Sequence, residues 1–226
     1  MLLMQGLQHH FVAGLRAGRG VESELGNGRF QPLHMSQADQ DWCGPWSLIQ
    51  AAVLLHGWRR TVVANPKTAR DPWRTFWTRV RTDYNDGTDE SDLATLAELL
   101  TPWIQVEVTK TTSARRIGEV AAAAIASGHV PILRSTTARW SHFSMVSGLA
   151  IGADGAPTAL LLLDTSLDAP WAVPYNACQE LQPSRPARGG FRYECRALDG
   201  RLHPSQPSPS FVGQGAWPRA HPSSEG

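Results

Sequence analysis

A thiol, an imidazole and a carboxylate, met in that order at Cys43, His142 and Asp164, are the parts needed to cleave or rearrange an amide or thioester by acyl transfer. Cys43 stands in WCGP, immediately ahead of WSLIQAAVLLHG, where Trp46, Ile49, Val53 and Leu54 follow helical spacing and Gly57 marks a stop. Pro45 suits a first helical turn, because its missing N–H would have no partner there. The pattern therefore predicts Cys43 at or just before the N-terminus of a buried helix. Unpaired N–H groups and the positive end of the helix dipole favour a thiolate at such a place. They also aim donors at a carbonyl oxygen once sulfur has attacked it.

His142 lies in RWSHFSMVSGL at 139–149, a strand candidate. With a period of two, Trp140, His142, Ser144, Val146 and Gly148 share one face, while Phe143, Met145 and Leu149 point the other way into a packed layer. An imidazole so placed can take a proton from sulfur and return it to a leaving group near neutral pH. Asp164 ends TALLLLD at 158–164, a run apolar at successive positions, as expected of a strand buried on both faces. A carboxylate there is costly unless paired, and an imidazole N–H on an antiparallel neighbour is a suitable partner. The Asp-Gly turn signal in ADGAP, between the two runs, favours that antiparallel pairing.

Other elements must bring these three groups together. DESDLATLAELL reads as a short helix, capped by Asp89 or Ser91, with Leu93, Leu96, Leu99 and Leu100 as its apolar stripe and Pro102 as its end. WIQVEV at 103–108 alternates like a strand, a helix is expected from about Ser113 to Ser127 with Gly128 closing it, and HVPILRS at 129–135 reads as another strand. WAVPY at 171–175 and FRYECRAL at 191–198 add shorter strand candidates. Helices come first and strands follow, so the expected class is α+β: an N-terminal helical layer carrying Cys43, packed against a C-terminal antiparallel sheet carrying His142 and Asp164. The expected division is a loosely packed, glycine-punctuated lead-in over 1–34, a catalytic domain over 35–198, and a Pro/Ser/Gly-rich tail over 199–226 that is disordered or draped on the surface. The segment 59–90 reads as a loop-and-helix insert.

Composition narrows the function. A chain of 226 residues with 42 % hydrophobic side chains can bury one core, and its 21 basic and 20 acidic residues give a charge of +1, so no net field draws it to nucleic acid or an anionic membrane. The arginines and tryptophans of 59–90 suggest a nucleic-acid patch, but Asp71, Asp83, Asp86, Asp89 and Glu90 cancel the charge. No apolar run approaches the roughly 18 residues that a membrane-spanning helix needs, and MLLMQGLQHHFVAGLRAGRG lacks the pattern of a secretory signal. The expectation is a cytoplasmic protein, or one exported by a signal-peptide-independent system. Cys43, Cys178 and Cys195 are odd in number and widely spaced, which suits a reducing compartment rather than a disulfide framework. No CxxC or HExxH occurs, so neither a metal nor an organic cofactor is expected. WCGP would suit thioredoxin-like redox chemistry only with a second cysteine where Trp46 stands.

The stretch QADQDWCGPW at 37–46 resembles the nucleophile segment of papain-like cysteine peptidases, in which a glutamine six positions before the cysteine supplies an oxyanion-hole donor. Gln37 stands at that position, and Gln40 does not. SHFSMVSG at 141–148, followed by LLLDT at 161–165, is similar to the His strand and the Asp-ending strand of the bacteriocin-processing, C39-like branch, where Asp replaces the Asn of papain. The helix at 91–100 and the strand entry GHVPI at 128–132 also look like that branch, and the likeness runs in order over roughly residues 35–175. It implies a papain-like fold and a cysteine peptidase with Cys43 as nucleophile, His142 as base, Asp164 as its orienting group and Gln37 as oxyanion donor. The implied partner is a peptide or protein substrate. A peptidoglycan amidase or acyltransferase uses the same acyl-enzyme logic, and a non-catalytic peptide-binding module of the same fold is the third reading.

Overall fold

The computed structural model describes residues 8–17, 20–25, 28–37, 41–101, 103–111, 113–136, 141–170 and 173–181, together with the backbone of three later strands. The chain opens with four short strands, β1 (Gln8–Phe11), β2 (Leu15–Ala17), β3 (Val21–Glu24) and β4 (Phe30–Pro32). Four helices follow: α1 (Cys43–His56), α2 (Arg60–Val63), α3 (Trp73–Asp83) and α4 (Glu90–Glu98). β5 (Ile104–Thr111) and α5 (Ala114–Ala126) lead into β6 (Ile132–Thr136), β7 (Ser141–Ile151), β8 (Pro157–Leu163) and β9 (Ala177–Glu180). The backbone strands are β10 (Tyr193–Arg196), β11 (Leu202–Pro204) and β12 (Gly213–Ala220).

The main sheet has nine strands in the order β11-β10-β9-β8-β7-β6-β12-β5, with β1 also paired to β7 and every pairing antiparallel. Side chains of its central strands divide between two packed layers. Ile132, Phe143, Met145 and Leu163 join the cluster that contains α1, α3 and α4, whereas Leu133, Val146, Leu160 and Leu162 join the one that contains α5. The α+β arrangement therefore has helices on both faces, and Leu160 to Leu163 are buried throughout, as their unbroken apolar run predicts.

α1 carries the site, and nearly all of its residues from Cys43 to Leu54 are buried. Gly57 ends it with a positive φ of 60°, the left-handed cap that only glycine adopts without strain. Gly44 is required by close approach: a Cβ there would lie 2.3 Å from Thr88 Oγ1 and 3.2 Å from the Phe143 ring. Its missing side chain lets the helix start settle between the loop before α4 and strand β7. α4 is held in turn by a capping box, in which Asp89 accepts from the N–H groups of Ser91 and Asp92 while Asp92 accepts from that of Asp89.

The structure differs from the sequence reading in four places. The residues read as a loose lead-in are integrated: β1 pairs with β7, β2-β3-β4 form a small sheet, and Val12, Val21 and Leu33 are buried. In the region read as a draped tail, β12 inserts between β5 and β6 in the main sheet. WAVPY forms no strand at 173–175, and β9 starts at Ala177 instead. Leu149 does not share a face with Phe143, because the register of β7 against β8 shifts between Val146 and Gly148 and puts Leu149 in the α5 cluster with Val146. That bulge coincides with the close passage of β1, whose His10 carbonyl and Phe11 ring would each lie 2.6 Å from a Cβ on Gly148.

The α3 aromatic residues within 59–90 are structural. Trp73, Phe76, Trp77 and Val80 of α3 are buried against α1 and α4, and Trp77 packs on both Trp42 and Trp46. Aromatic rings spent on the core in this way do not form a base-stacking face.

Candidate active site

Cys43 is the first residue of α1 and is 8 % exposed. Its side chain hydrogen-bonds that of His142, and the backbone N–H of Phe143 donates to its sulfur at 3.4 Å. The second contact was not legible in the sequence. It arises because β8 ends its pairing at Met145–Leu163, which frees the start of β7 to meet the helix instead.

His142 sits one residue into β7, with its side chain 15 % exposed. Nε2 donates to Asp164 Oδ1 at 2.8 Å, which leaves Nδ1 as the nitrogen on offer to sulfur. Burial by itself favours the neutral ring. The charge of Asp164, its hydrogen bond, and the hydrogen bond and charge of Cys43 outweigh burial and raise the pKa of His142 to about 10. The ring is therefore an imidazolium at neutral pH, with both nitrogens donating. A protonated imidazole bonded to the Cys43 side chain has a proton on hand for a group that leaves from a carbonyl carbon beside the sulfur.

Asp164 follows the last residue of β8, and its side chain is only 2 % exposed. Besides His142, four residues hold it. Ser166 closes a tight turn by donating both its N–H, at 2.8 Å, and its hydroxyl, at 2.7 Å, to Oδ1, and Ser144 Oγ donates to Oδ2 at 3.3 Å. Asn176 accepts from the Asp164 N–H at 2.7 Å and donates to its carbonyl at 2.8 Å, and His34 Nε2 donates to the same carbonyl at 3.0 Å. His34 is itself buried, which lowers its pKa against the opposing pull of the Asp164 carbonyl, so it acts as a neutral donor. A carboxylate supported this fully is held in place and fixes the imidazole ring.

Gln37 reaches the same neighbourhood. Its N–H donates to the Thr165 carbonyl at 2.9 Å, and its side-chain carbonyl accepts from Thr165 Oγ1 at 2.9 Å. With that oxygen committed, the amide NH2 is the end that can donate elsewhere. The segment is pinned to α1 as well, because the Met35 N–H donates to Gln50 Oε1 at 3.0 Å. The start of β7 is anchored by Arg134, whose Nε donates to Ser141 Oγ at 2.7 Å and whose guanidinium pairs with Glu90 at the start of α4. Lys110 on β5 completes that network at 2.8 Å from Glu90.

The structure thus brings Cys43, His142 and Asp164 into one contiguous set, with Gln37 bonded to the residue after Asp164. Trp140, expected on the same strand face as His142, lies outside the described residues, as does Gln40. His34 and Asn176 were missed, because both are polar groups that contact Asp164 across long sequence separations. The Ser166 turn was readable: an Asp followed two residues later by a donor is a turn signal in itself. Among the described residues no cluster of His, Cys, Asp and Glu could hold a metal, and no helix is long and apolar enough to cross a membrane. No known family model matches the chain, and no curated protein sequence matches it.

Proposed function

We propose that the chain is a cysteine peptidase of papain-like type, nearest to the C39-like branch, which cleaves a peptide amide through a thioester acyl-enzyme. The observation that carries the reading is His142 hydrogen-bonded on one side to Asp164 and on the other to Cys43. The order Gln37, Cys43, His142, Asp164 in the sequence supports it further.

The Cys43 thiolate attacks the scissile carbonyl carbon and forms the C–S bond, and the carbonyl π pair moves to oxygen. The Cys43 backbone N–H, at the helix start, and the Gln37 NH2 receive that oxyanion. The oxyanion collapses, the C–N bond breaks, and the departing nitrogen takes the proton of His142. Water then attacks the thioester and gives its proton to His142, the C–S bond breaks, and the thiolate–imidazolium pair returns. Asp164 keeps the ring oriented throughout and takes no proton.

The test is incubation of the native chain with a peptide library, and in parallel with purified muropeptides, read by mass spectrometry for cleavage products and for an acyl adduct on Cys43. New peptide termini with a transient adduct on Cys43, both lost in Cys43→Ala, are expected. Muropeptide cleavage alone assigns the amidase reading, and an absence of products and adduct from both substrates contradicts the enzymatic one.

A further inference from the structure

Two cavities beside the triad share Pro32, Ser36 and Arg60 in their walls. The first, about 520 Å³, reaches Trp46, one helical turn beyond Cys43. The second, about 350 Å³, reaches His34, which holds the Asp164 carbonyl, and Asp168, which follows Asp164 closely in the chain.

Arg60 is the first residue of α2, and Gln31 Oε1 fixes it there by accepting its backbone N–H at 2.8 Å. Its side chain is half-buried, and no carboxylate among the described residues pairs with its guanidinium. Burial lowers its pKa with no opposing anion, and its charge reaches as far as His34. Two acidic residues line the second cavity: Glu22 is engaged by Arg16 at 2.7 Å, and Asp168 does not line the first. In the first cavity Arg60 is the only charged residue among the described ones, and the remaining wall is neutral, with Ser36, Thr61 and Asn65 as polar members.

A partly desolvated cation without an anion is a cost to the folded chain, and an incoming carboxylate offsets it with two parallel hydrogen bonds. We propose that Arg60 is a specificity residue, which receives a carboxylate of the peptide substrate in the cavity beside Trp46. This rests on the peptidase reading for the identity of the ligand as a peptide. The carboxylate belongs either to an acidic side chain near the scissile bond or to the peptide's own C-terminus.

Binding separates this proposal from catalysis. The Cys43→Ala chain is titrated, by fluorescence anisotropy, with dye-labelled, C-amidated hexapeptide pools that carry Glu or Gln at one position in turn, and with free-acid versions of the Gln pools. A tighter Kd for the Glu pools assigns the side-chain carboxylate, and a tighter Kd for the free acids assigns the C-terminus. Either preference is expected to be about tenfold or more, to shrink as salt rises, to survive in Arg60→Lys in weaker form, and to vanish in Arg60→Gln. Equal or undetectable binding of all pools overturns the proposal, as does a preference that persists in Arg60→Gln. Acyl-adduct formation on the unsubstituted chain reports on the triad separately, so failure of one reading is not mistaken for failure of the other.

Discussion

Replacing Asp164 by Asn keeps the shape of the site and removes one charge. The Asn carbonyl can occupy the place of Oδ1, accepting from His142 Nε2 and from the Ser166 N–H, and its NH2 can face Ser144 Oγ, which accepts as readily as it donates. The electrostatic support of His142 does not survive. Burial of the ring then works against the sulfur's contribution alone, and the pKa falls from about 10 towards the ordinary 6.5. If burial and sulfur offset one another, the protonated fraction at pH 8 falls from nearly all to about 3 %, a loss of ~30-fold, while at pH 6 most of it remains and the loss is under ~2-fold. The sign is that of a proton donor: activity holds below the ring's pKa and drops as pH rises through it. The assay is the pH profile of kcat/KM on a cleaved peptide for both chains. The native alkaline limb is expected near pH 10, and that of Asp164→Asn lower by several units. A defect of equal size at pH 6 and pH 8, or a limb that stays put, refutes the reasoning.

Further outcomes follow from the groups around the triad. Asn176→Ala strips partners from the buried N–H of Asp164 and from the carbonyls of Asp164 and Asp168. It should lower unfolding stability by on the order of 3 kcal/mol in urea titration, and lower kcat more than it raises KM. Gly44→Ala forces a methyl group onto Thr88 Oγ1 and the Phe143 ring. A loss of about 1–3 kcal/mol is expected for such overpacking, and the shift of the helix start from β7 should slow acylation of Cys43 beyond any change in Tm.

What the sequence made legible was what neighbours in the chain decide. α1 and α4 announce themselves by apolar period and by caps or stops, and α5 by its run of alanines, and Asp89 and Gly57 act where those signals place them. β7 follows from alternation, β8 from its unbroken apolar run and their pairing from the Asp-Gly turn, so the sequence alone pairs His142 with Asp164. The rest depends on contacts between distant segments. β1 is a short strand whose burial comes from docking on β7, and the bulge at Ser147 that reverses the face of Leu149 accompanies that docking. β12 pairs with β5 across more than a hundred residues of chain, and no local pattern carries that register. His34 and Asn176 are lone polar residues, and their role exists only because Asp164 is brought to them.

The proposed chemistry depends on a reactive sulfur paired with an imidazolium within bonding reach, and chemical labelling reads this without any substrate. The native chain and His142→Ala are treated with iodoacetamide at pH 6, and alkylation of Cys43 and Cys178 is timed by mass spectrometry. Cys43 should be modified much faster than Cys178 in the native chain, despite its deeper burial, and the advantage should vanish in His142→Ala. Equal rates for the two cysteines, or a Cys43 rate indifferent to the loss of His142, would contradict the central claim.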